Sequence, residues 1–141
     1  MSVSHRLVIA LRSLLGLALA IVAIPVVNLA GSWLSTQVFG RPEGGDLRLA
    51  VDLCWVFVAG FTGTWLMVRI AAVAKTAHAW ALFALYLVVD VLGVVDGWHE
   101  FPRWFTLGIL MLLPPQVWLG WWLAWGRTRD GARAPRPIRD D

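Results

Sequence analysis

The stretch LYLVVDVLGVVDGWHEFPRW, residues 85–104, sets Asp90 inside a run of Leu and Val, with Asp96, His99 and Glu100 close behind it. Three kinds of chemistry suit these residue types. A carboxyl group among apolar side chains can carry a proton or a cation, the role intramembrane carboxylates often play. It can instead join helices through a hydrogen bond, worth about 0.6 kcal/mol on average between spanning helices. Asp96 and His99 would share a face if the helix continued through them, and with Asp52 they could supply nitrogen and oxygen ligands to a metal. No metal-motif spacing accompanies them, and interfacial charges flanking Trp98 and Trp104 account for the same residues, so neither a metal nor a cofactor is expected.

The elements that must position these groups are strongly apolar. Of 141 residues, 59% are hydrophobic and only 15% charged, a balance that belongs to membrane proteins. Four stretches, 13–33, 49–68, 77–95 and 105–125, reach the roughly 20 residues a helix needs to cross about 30 Å of hydrocarbon. A spanning backbone must satisfy its own hydrogen bonds, and no segment alternates as barrel strands do. The expected fold is therefore an all-α integral membrane protein: an antiparallel bundle of four transmembrane helices in residues 1–126, then a disordered basic cytoplasmic tail, 127–141. Arg6 and Arg12 before LLGLALAIVAIPVVNLA would also suit a signal peptide. The length of that run, with Pro25 and Asn28 inside it, favours a retained helix. Cys54 is the single cysteine, which rules out a disulfide within the chain.

Charge sets the expected orientation. Arg6, Arg12, Arg69, Lys75, Arg127, Arg129, Arg133, Arg136 and Arg139 fall on one side, against Arg41, Arg48 and Arg103 on the other. That bias puts both termini in the cytoplasm, and the expected location is a bacterial inner membrane crossed several times. Trp65, Trp80, Trp121, Trp122 and Trp125 then lie near the inner interface and Trp33, Trp98 and Trp104 near the outer one, as an aromatic belt requires. His78 falls at the inner interface. The arginine-rich tail could hold anionic lipid, but a role in setting topology accounts for it as well.

Within this frame three helices offer a polar group at one depth. Counting 1.5 Å per residue from the outer boundary places Asp52 about 5 Å, Asn28 about 7 Å and Asp90 about 9 Å deep. Asp90 should be protonated or hydrogen-bonded there, with Asn28 and Asp52 as expected partners, because an ionised aspartate at the bilayer centre costs about 2.5–3.5 kcal/mol. Gln116 follows Pro114 and Pro115 in the fourth helix, where the two prolines, like Pro25 in the first, remove backbone donors and should bend or break the helix. Close packing is expected through small residues four apart: Gly16 with Ala20, Ala59 with Gly63, Gly60 with Thr64, Gly93 with Gly97, and Gly120 with Ala124. Ala77, Ala81 and Ala84 offer the same on the inner half of the third helix. If the Gly93 and Gly97 face packs on a neighbour, Asp90 points into the bundle.

The run VVNLAGSWL resembles the Asn-x-x-Gly-Ser segment of small dual-topology fluoride channels, but their later Gly, Thr and Ser-rich signature is missing and the charge bias opposes dual topology. GFTGTWLMVRIA, AHAWALFALYLVV and PRWFTLGILMLLPPQVWLGWWLAWGR, within residues 55–127, resemble small uncharacterised bacterial inner-membrane proteins with four helices. That resemblance implies the four-helix topology and no activity. No GxSxG, HExxH or CxxC motif and no nucleotide-binding glycine loop is present, so no enzymatic role is expected. The sequence points to an accessory, scaffold or interaction subunit. The alternative is a small oligomeric transporter or channel coupled to protons or cations through Asp90. Expected partners are the bilayer and another membrane protein or a second copy, not nucleic acid.

Overall fold

A computed structural model describes the backbone of residues 3–39 and 45–132 and the side chains of 3–38 and 45–125. The described residues form four α-helices: α1 (Val3–Phe39), α2 (Asp46–Ile70), α3 (Lys75–Asp96) and α4 (Arg103–Ala132). A single 3-10 turn, Gly97–His99, links α3 to α4. Each helix is long and apolar enough to cross a membrane. Leu29, Val88, Leu92, Val95 and Met111 are more than half exposed, far more outward apolar surface than a water-soluble domain of this size carries.

The helices are longer than their apolar runs. α1, expected over 13–33, has 37 residues, about 55 Å and well beyond the roughly 30 Å of a hydrocarbon layer. Ser35 and Thr36, beyond the expected span 13–33, are helical, and each returns its hydroxyl proton to the carbonyl four residues back, Gly31 and Ser32. α2 starts at Asp46, whose carboxylate suits the positive end of the helix dipole, and ends near Arg69. α4 continues to Ala132, so residues 127–132, expected as the start of the disordered tail, are helical; residues 133–141 lie outside the described residues. Arg41 does too.

Helix assignment is unbroken at Pro25, Pro114 and Pro115, so none of these prolines ends its helix. The turn between α2 and α3 takes only residues 71–74. Ala74 closes it at φ 50°, a left-handed conformation that costs an L-residue about 1–2 kcal/mol. His78 Nδ1 stands 3.0 Å from the Ala74 carbonyl oxygen.

α2 is the centre of the packing. Ile70 meets Arg12, Met67 meets Gly16, Gly63 meets Ile24 and Trp55 meets Ser35, a reversed order that makes α1 and α2 antiparallel. Leu53 meets Gly108, Gly60 meets Gln116 and Thr64 meets Gly120, so α4 runs parallel to α2 on its other flank. α3 packs on α4 and, less extensively, on α2. One core joins all four helices through Ala20, Met67, Leu82, Tyr86, Leu113 and Val117. The backbone of α1, however, comes close to α2 alone. The bundle is therefore open along the side where α1 faces α3.

The expected small-residue contacts divide sharply. Ala20, Ala59 and Ala124 are fully buried, and Gly16, Gly60, Gly63 and Gly120 touch neighbouring helices. Gly93 touches nothing, Gly97 meets only Phe101 of the following loop, and Ala77, Ala81 and Ala84 are exposed. The correction has a simple cause: α3 buries the face defined by Ala79, Leu82, Tyr86 and Val94, and Gly93 lies beside that stripe.

Candidate functional site

Where α1 and α3 fail to close, a cleft of about 350 Å³ reaches into the bundle. Every helix contributes to it: Ile21, Ile24, Pro25 and Asn28 from α1, Val56 and Gly60 from α2, Leu85, Tyr86, Val89 and Asp90 from α3, and Gln116 from α4. Its walls are mostly aliphatic, with four polar side chains converging on one space. Among the described residues, no Lys, Arg or His lines it. A small, mainly apolar cavity with a few convergent polar groups has the form of a ligand site.

Two of the polar groups are deeply buried and unsatisfied. Gln116 is 2% exposed and Tyr86 7%. Among the described residues, the Gln116 carbonyl oxygen accepts no hydrogen bond, and the Tyr86 hydroxyl, which lies beside Thr64, makes none of ordinary geometry. A buried polar atom left in that state costs about 1–3 kcal/mol, so its retention calls for an explanation. Both are accommodated by glycines of α2. A Cβ on Gly60 would stand 2.5 Å from the Gln116 amide carbon, and one on Gly63 would stand 2.5 Å from the Tyr86 hydroxyl. Asp90 follows Tyr86 by four residues, which puts the two on one face of α3. Asp90 is partly buried and makes no hydrogen bond or ion pair to another described residue.

The expected polar layer is thus gathered in part. Asn28, Asp90 and Gln116 line one cleft, although Asn28 and Asp90 are not hydrogen-bonded to each other. Asp52 is drawn elsewhere. Arg48 Nε donates to both Asp52 carboxylate oxygens at 3.2 and 3.1 Å. The same guanidinium donates to the Ser32 carbonyl at 3.2 Å and to Thr36 Oγ1 at 3.3 Å. With Trp55 Nε1 donating to Ser35 Oγ at 3.1 Å, these contacts form a clamp between α1 and α2. Asp52 pairs there because an arginine one turn earlier on its own helix outcompetes a group on α3.

Sequence reasoning missed Tyr86, Gly60 as the seat of Gln116, and the Arg48 clamp. The four-residue spacings Tyr86–Asp90 and Arg48–Asp52 were the available signals. The loop residues Asp96, His99 and Glu100 are exposed. No group of three potential metal-ligating side chains forms among the described residues. Tryptophans pair along α4: Trp118 stacks on Trp122 with ring centroids 6.3 Å apart, and Trp121 lies tilted against Trp125 at 6.1 Å. Trp118 and Trp121 also line a second, almost wholly apolar groove with Trp80 and Phe83. Comparison with protein-family models, curated proteins and solved structures finds no match to this chain, so its functional reading rests on the cleft itself.

Proposed function

We infer that this chain is an integral protein of a bacterial inner membrane, with both ends cytoplasmic, and that the cleft between α1 and α3 binds a proton or cation through Asp90. Span length and apolar exposure support the membrane, and the bias of Arg and Lys supports the orientation. The observation that carries the functional reading is the convergence of Asn28, Tyr86, Asp90 and Gln116 on one cavity, with two of their polar atoms buried and unpaired. Structural glue would spend those atoms on one another, whereas a binding site keeps them available.

The accessory or interaction subunit stands as the second reading. It is favoured by α1, whose backbone approaches no helix but α2, so that a partner helix or a second copy could complete the open side. Reconstitution in liposomes separates the two. A carrier dissipates an imposed proton or cation gradient, and Asp90→Asn should slow that flux about tenfold or more while the protein remains folded. Equal flux in wild type and Asp90→Asn would rule the carrier out and leave the subunit reading.

A further inference from the structure

Resting on the reading of the cleft as a cation site, we propose that its ligand is a protonated organic amine carrying a small apolar body, rather than an inorganic ion. Charge comes first. Among the described residues no basic side chain lines the cleft, so an ionised Asp90 has no counter-charge from them and a cationic ligand would supply one. Hydrogen bonding narrows the class. The unpaired Gln116 carbonyl oxygen is an acceptor and the Tyr86 hydroxyl can act as one, which suits a ligand that brings N–H donors. A quaternary ammonium would leave both unmatched.

Coordination argues against a bare divalent ion. Ca²⁺ takes about six to eight oxygens and Mg²⁺ about six, at bonding distance. Here four polar side chains are spread around about 350 Å³ whose other walls include Ile21, Ile24, Val56, Leu85 and Val89. Those aliphatic walls gain nothing from an ion but do gain from an apolar group that they shield from water. The volume lies at the small end of ligand sites, enough for one ring or a short chain.

The test uses the full chain in lipid nanodiscs, with equilibrium dialysis of radiolabelled 2-phenylethylammonium at neutral pH. Saturable binding is expected, undisplaced by excess sodium or potassium and poorly displaced by 2-phenylethanol, which has similar shape without charge. Asp90→Asn should weaken binding about tenfold or more. Gln116→Leu, which keeps the volume and removes the acceptor, should weaken it about three- to tenfold. Should Asp90→Asn fail size-exclusion, Leu85→Trp takes its place, because a larger group on the cleft wall should also abolish binding. Equal competition by 2-phenylethanol, or undiminished binding in the folded variants, overturns the proposal. Absent amine binding combined with Asp90-dependent proton or alkali-cation flux overturns the ligand class alone. Absent binding with no Asp90-dependent flux overturns the cation site as well.

Discussion

At the scale of single residues, α2 shapes the site by what it lacks. Gly60 and Gly63 carry no side chain, and the space they leave is taken by the Gln116 amide and the Tyr86 hydroxyl. Gly60→Ala should therefore destabilise the protein by about 1–3 kcal/mol, the usual consequence of forcing one methyl group into a packed contact. Combining it with Gln116→Ala should relieve most of that loss, because the two side chains would no longer compete for one place. Thermal unfolding in detergent reads both variants. Additive losses would show that the methyl clashes with something other than Gln116. The place of Asp90 in a polar layer was legible from a charged letter in an apolar run, and that of Asn28 from its depth. Gly60 was legible only as a small residue, since nothing in its neighbours names an amide on a helix more than fifty positions away.

At the scale of elements, the Arg48 cluster explains why α1 follows α2 so closely although it touches no other helix backbone. A buried guanidinium has several donors to satisfy, and Asp52, Ser32 and Thr36 together provide acceptors. Asp52→Ala removes the only carboxylate paired with Arg48 among the described residues. It should cost about 1–3 kcal/mol of stability, the penalty for a buried polar group left short of partners. Flux should be retained, since Asp52 does not line the cleft. A larger loss of flux than of stability would return Asp52 to the working site. The number of helices and their placement followed from hydropathy, because about 20 apolar residues have few other options. Their ends did not follow. Ser35 and Thr36 look polar in sequence but bond to their own helix, and Pro25, Pro114 and Pro115 are absorbed without ending theirs. The α3 face was misread for a related reason: glycine spacing suggests close approach only where a neighbour is present, and beside Gly93 there is none.

At the scale of the whole molecule, an arrangement in which α2 lies against every other helix and the backbone of α1 approaches only α2 leaves one flank unclosed. That flank collects the polar groups. Asp90 belongs to the stripe Leu82, Tyr86, Asp90 and Val94, while Val88, Leu92, Gly93 and Val95 face outward. The account turns on this orientation, because a carboxyl group facing acyl chains could not share a cavity with Asn28 and Gln116. Spin labels placed singly along residues 82–95 in a Cys54→Ser background, reconstituted in bilayers, measure it through collision with dissolved oxygen, which concentrates in lipid. Oxygen accessibility should be lowest at 82, 86, 90 and 94 and highest at 88, 92 and 95, with position 93 among the accessible ones. A maximum at position 90, or a minimum at 93, would contradict the seam on which the binding site depends.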